Sequence, residues 1–268
     1  MKFKITAFLL LAASFVSAQV DTTFRRMKTI KGDIVAFTVD NLDNVYLLSS
    51  TNQVKKINSN GDSVAVFNDV KKFGQATLID VSNPLKVLLF YRDYATIVVL
   101  DRLLNVRNTI DLRKQNILQV RAIGQSYDNK IWLYDEVENK LKKIDEDGTL
   151  LQETPDFRQV FGAAPAPQKI FDQDQYVYLY DSSQAVFVFD YYGALKNKIL
   201  ISRWQNFKVT GRYIFGSLGS SLFRYDIKTF RVDEWLMPDE IAKAPAFNFT
   251  ASRIYALRKD SIDIFSFR

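Results

Sequence analysis

The chain has 268 residues, a formal charge of +6, and neither histidine nor cysteine. Without those two side chains, Ser-His-Asp and Cys-His catalysis, cysteine- or histidine-ligated zinc, c-type haem attachment, thiol redox work and disulfides are all excluded. The remaining composition, 47% hydrophobic, 14% aromatic and 25% charged, is that of a globular chain with ample material for a core.

Residues 1–18 read as an address. Lys2 and Lys4 precede an apolar run from Ile5 to Phe15, and Val16-Ser17-Ala18 supplies small residues at a cleavage site. That order is a secretory signal peptide cut after Ala18, and the run is too short to span a bilayer. No cysteine follows for a lipid anchor, so the mature chain, residues 19–268, is expected to be periplasmic or secreted, with no transmembrane segment. Cleavage removes two lysines and no acid, lowering the formal charge from +6 to +4. The basic doublets Arg25-Arg26, Lys71-Lys72 and Lys142-Lys143 are isolated, which argues against nucleic-acid binding.

Six copies of one pattern follow. Each has an apolar run, a short polar turn and a second alternating run: 45–48 with 54–58, 87–90 with 98–101, 131–134 with 141–145, 177–180 with 187–190, 213–215 with 223–226, and 254–257 with 262–265. The copies recur every 36 to 46 residues, and the two runs keep a nearly constant offset, so each pair is a hairpin. A further strand is expected before each hairpin, at 34–39, 75–80, 119–124, 168–172, 206–210 and 246–250. A fourth follows five of them, at 63–67, 106–112, 150–154, 195–201 and 231–236. Asn60-Gly61, Asp147-Gly148 and Tyr192-Gly193 supply the reversals between third and fourth strands. Four antiparallel strands per repeat describe a six-bladed β-propeller, an all-β single domain. The last copy lacks its fourth strand, and the orphan segment 23–30 can supply it, closing the ring and covering a sheet edge.

The cadence D-x-x-x-x-V/I-Y/W-L-Y/L … V/L-x-x-I/F-D-x-x-G is clearest over 43–61, 128–148 and 174–193. It resembles six-bladed propellers of the NHL and YncE-like type, over roughly residues 23–268. The WD40 signature is missing. Streptogramin-lyase-like propellers depend on a catalytic histidine, which this chain lacks. Lactonase-like propellers hold a divalent cation with Glu, Asn and Asp, a set this chain offers. Asp80, Asp172 and Asp174 lie near the expected first strands, but no spaced pair stands out, and no metal or other cofactor is assigned. Asp43, Asp128, Asp145, Asp190 and Asp226 recur in turns, where the carboxylate is expected to bond local backbone N–H groups.

Binding residues are expected where fourth-to-first connections and second-to-third hairpin tips gather. These are Lys72 and Phe73; Phe157, Arg158 and Phe161 in the longest connection; and Arg203, Trp204 and Phe207. Trp204, Phe207, Phe157 and Phe161 either cap the gaps between blades or form a contact surface. One helical turn is expected from Pro238. The reading is a non-catalytic module, monomeric by itself, that binds a protein partner in the cell envelope, such as an outer-membrane assembly or secretion machine. A carboxylate-based metal hydrolase and a carbohydrate binder are the alternatives.

Overall fold

A computed structural model describes residues 24–68 and 73–267. The expected signal peptide and Lys71-Lys72 lie outside the described residues. Strand β1 (Phe24–Lys31) comes first. Blade 1 is β2 (Ala36–Val39), β3 (Val45–Leu48), β4 (Val54–Ile57) and β5 (Ser63–Phe67). Blade 2 is β6 (Leu78–Asn83), β7 (Lys86–Tyr91), β8 (Thr96–Asp101) and β9 (Val106–Asp111). Blade 3 is β10 (Val120–Gln125), β11 (Ile131–Asp135), β12 (Lys140–Ile144) and β13 (Leu150–Glu153). Blade 4 is β14 (Lys169–Gln173), β15 (Tyr176–Asp181), β16 (Ala185–Asp190) and β17 (Leu195–Ile199). Blade 5 is β18 (Gln205–Thr210), β19 (Tyr213–Leu218), β20 (Ser221–Asp226) and β21 (Val232–Leu236). Blade 6 is β22 (Phe247–Phe249), β23 (Arg253–Leu257) and β24 (Ser261–Phe267), completed by β1. This is the six-bladed propeller of four-stranded antiparallel blades that the repeats describe.

The apolar runs sit where they do because a middle strand has a neighbouring blade on each face. All six residues of β7 are buried. Their parity divides them: Val87, Leu89 and Tyr91 pack toward blade 1, Leu88 and Phe90 toward blade 3. The core is therefore six clusters, one in each gap between blades. Outermost strands have one free face and edge, and β17 is exposed at every position but its last. Among the described residues, no helix is long and apolar enough to cross a membrane.

The ring closes through β1, whose register runs from Phe24 opposite Phe267 to Lys31 opposite Ser261, with one bulge between Arg26 and Lys28. The buried Asp263 of β24 anchors it, accepting from Arg26 (2.5 Å) and Thr29 (2.7 Å) of β1 and from Arg258 (3.2 Å). Burial alone would raise the Asp263 carboxyl, yet these hydrogen bonds hold it below the ordinary carboxylate range.

The turn aspartates behave as expected at Asp145, Asp190 and Asp226, each accepting from two backbone N–H groups just downstream. Asp128 takes the Lys130 N–H and the Lys143 ammonium. Asp43 departs from the expectation. It sits at φ 62° in blade 1 and accepts from Thr250 (2.9 Å) and Tyr255 (2.7 Å) of blade 6, with Arg253 at 3.1 Å. Asp40 does the local work instead, taking the Leu42 and Asn44 N–H groups. Asp43 is thus a latch across the closing seam. Asp43→Ala should cost about 2 kcal/mol, because the buried Tyr255 hydroxyl loses its acceptor. A shift in urea midpoint worth less than about 0.5 kcal/mol would show that the latch carries no load.

Candidate functional site

The innermost strands β2, β6, β10, β14, β18 and β22 surround a central channel enclosing about 360 Å³. Gly124 of β10 lets that strand approach blade 4 closely: a Cβ there would lie 2.7 Å from the Ile170 carbonyl oxygen. Two cations stand in the channel. Lys169 is the first residue of β14; its pairing with Tyr180 puts it level with Ala36, Leu78 and Ala122 of blades 1 to 3. Lys208 lies within β18, on the neighbouring blade. Lys169 is exposed there and Lys208 half-buried.

Each ammonium is held by backbone carbonyls. Lys169 Nζ donates to Phe207 O at 3.0 Å, and Lys208 Nζ to Phe249 O (3.0 Å) and Val39 O (3.2 Å), so it ties blade 5 to blades 6 and 1. Among the described residues no carboxylate lies within 4.0 Å of either nitrogen. Crowding by the surrounding strands lowers Lys169 to about 8. Desolvation, helped by repulsion from Lys169, lowers Lys208 to about 8 as well, against the pull of Asp40, Asp43 and Asp80. Both side chains nevertheless keep access to water through the channel.

The channel acids are already engaged. Asp40 accepts from Leu42, Asn44 and Tyr46, and Asp80 from the Ser82 and Gln125 N–H groups. Asp172 takes Ser126 Oγ, Tyr127 N, Trp132 Nε1 and Tyr191 OH, bonding blade 4 to blade 3. Among the described residues no three acidic side chains gather to hold a metal ion. Each of these acids instead helps to hold strands together.

Connections from fourth to first strands and tips of second-to-third hairpins share one face, here the connection face. The residues expected to bind there divide. Phe157 is only 1% exposed and packs among Tyr134, Phe161 and Phe189 between blades 3 and 4. Phe207, equally buried, stacks on Tyr180 at 3.7 Å between blades 4 and 5. Both belong to the packing between blades rather than to a contact surface. Phe161 is half-buried over Phe187 and Phe189, and Phe73 lies against Tyr91 at 5.2 Å. Trp204 is half-buried too: its ring stacks on Phe223 at 5.2 Å, and Gly216 has no side chain so that the indole can fit.

The exposed members are Arg158 and Arg203. Arg158 belongs to α1 (Phe157–Phe161), a short helix that the sequence reading did not identify although Asp156 caps it and Gly162 ends it at φ 76°. Its guanidinium pairs with Asp156 at 2.6 Å. The Arg203 N–H donates to Ser182 O, fixing this connection to the neighbouring hairpin tip. Apolar side chains exposed on the same face include Val160 on α1, Leu200 before Arg203 at 82%, and Leu218 at the blade 5 tip. The expected helical turn after Pro238 is α2 (Asp239–Ala242), with Pro238 at its N-cap.

On the opposite face Tyr127 stacks on Tyr191 at 4.6 Å, beside the Lys143 ammonium. A shallow groove of about 460 Å³ runs between blades 2 and 3, but its Glu146 is already paired with Lys86 and near Arg107.

The sequence matches no family model and no curated protein. Solved structures with the same fold include virginiamycin B lyase from Staphylococcus aureus, at 12% identity and TM-score 0.64, covering 91% of this chain and 100% of that one. The WD40 domain of Neurospora crassa Pan2 aligns at 10% identity and TM-score 0.59, covering 91% and 95%. The BBS1N propeller solved in complex with ARL6DN aligns at 11% identity and TM-score 0.51, covering 92% and 97%. An enzyme and interaction propellers thus share this architecture, and identities this low establish the fold alone.

Proposed function

We propose that this chain is a non-catalytic binding propeller, of the NHL and YncE-like type, that engages a protein partner through the connection face over blades 4 and 5. The observation that carries the reading is Leu200, 82% exposed beside Arg203, with Val160 and Leu218 exposed on the adjoining connection and tip. Apolar side chains left in water on a face that also exposes arginines are the composition of a contact surface. The signal-peptide pattern of residues 1–18 supports a partner in the cell envelope, such as an outer-membrane assembly or secretion machine, with the propeller periplasmic or secreted.

The test is to crosslink cells making the intact chain and recover it from envelope fractions. A reproducible protein partner is expected. The double variant Leu200→Asp, Arg203→Glu should reduce its recovery at least tenfold with an unchanged melting temperature, since both side chains are exposed. A chain that runs alone, or a double variant that keeps its partner, would overturn the proposal. Calcium or manganese that raised the melting temperature would favour a cation-dependent hydrolase instead.

A further inference from the structure

We propose that the central channel is a receptor site for a small organic carboxylate, its anionic end held by Lys169 and Lys208 and its apolar body lying along Leu78, Ile79 and Phe171. Four observations converge on it. The two ammonium groups stand on adjacent blades inside one cavity, and no carboxylate among the described residues pairs with either. Lys169 donates one hydrogen bond and Lys208 two, all to backbone carbonyls. An ammonium has three donors, so N–H groups beyond these bonds face the channel, where a ligand can accept from them. Asp40, Asp80 and Asp172 line the same cavity but already accept from the donors around them.

The cavity walls supply the rest of the specificity. Leu78, Ile79 and Phe171 line the channel half-exposed, although each also packs against a buried cluster. Two ammonium groups beside half-exposed apolar side chains suit an amphipathic anion better than a bare inorganic one, with Asp40, Asp80 and Asp172 elsewhere in the same lining. Its volume, about 360 Å³, falls at the lower end of small-molecule sites, roughly 300–1,000 Å³. Crowding depresses both ammonium groups, and an anion beside them would favour their charged form.

A structural alternative is that the lysines merely clamp blades together, and Lys208 does bridge three of them. The two readings separate at Lys169. A clamp removed by Lys169→Met costs stability. A binding cation removed by the same change loses one hydrogen bond at an exposed position and relieves what little desolvation screening leaves, so the variant should be at least as stable as the parent at pH 7. The sign follows from the lowered value: between about 8 and the ordinary 10.5 the unfolded chain binds more protons than the folded one, so parent stability rises with pH across that window. The advantage of Lys169→Met should shrink there accordingly.

Binding is read by calorimetry on the intact chain, with hexanoate as probe and hexanamide and inorganic phosphate as controls. Hexanoate should bind at least tenfold more tightly than either control, and Lys169→Met should weaken it at least tenfold. Affinity should fall between pH 6.5 and 9.5 as the lysines lose their protons. Hexanoate stays ionised throughout that range, and the acids facing the lysines are Asp40, Asp43, Asp80 and Asp172. Binding of hexanamide or phosphate equal to hexanoate, no binding of hexanoate, or indifference to Lys169→Met and pH would each overturn the proposal. The rim variants leave the channel untouched, so this site and the protein-partner reading can fail separately.

Discussion

Deleting residues 24–31 is expected to remove at least about 5 kcal/mol of stability, a large share of what a domain of this size holds. Strand β1 supplies the whole outer edge of blade 6, and Asp263 loses Arg26 and Thr29 together. The deletion also bares β24 as an unpaired edge carrying Ile262, Ile264 and Phe265, which invites intermolecular pairing. The expected readout is loss of a cooperative unfolding transition and recovery of mostly aggregated protein. Appending the same eight residues after Phe267 through a short turn should restore the transition, because the appended segment can take the position every other fourth strand occupies. If the appended strand restores nothing, then β1 matters for something other than pairing with β24.

The second large effect is Phe157→Ala, expected to cost about 3–5 kcal/mol as the cavity left between Tyr134 and Phe189 fails to collapse. Its neighbour Arg158 gives the internal control. That side chain is exposed and, among the described residues, its ion pair is with Asp156, so Arg158→Ala should leave the denaturation midpoint unchanged. Chemical denaturation of both variants settles the matter. A Phe157→Ala protein as stable as the parent would return Phe157 to the contact surface.

These adjacent residues show where reading the chain stops. The blades were legible because each hairpin keeps its own offset: Val45 pairs with Ile57 and Ile131 with Ile144 through local turns. The closing strand was legible because one blade was short of an edge. The side of a ring element that a residue occupies is not local. Phe157 and Arg158 are neighbours in a polar connection, and only the cap from Asp156, which folds the connection into α1, turns one inward and the other outward.

The channel was less legible still. Lys169 and Lys208 read as ordinary polar positions in alternating strands, and nothing within either strand marks a shared cavity. Their one visible signal is comparative: Lys169 stands where the first three blades place Ala36, Leu78 and Ala122. Asp43 was misjudged for the same reason, since its donors Thr250 and Tyr255 are over two hundred residues away.

The position of β1 has a consequence in time. Arg26 and Asp263, partners in the finished seam, are 237 residues apart. Strand β1, made before the six hairpins, therefore finds its mate only after the residues between them have emerged. Contacts of such long separation form slowly, whereas each hairpin is ready as soon as it is complete. Assembly is thus a chain of early, local steps ended by a single late one. Any factor that occupied residues 24–31 would hold the molecule in an open, unfinished form until it let go.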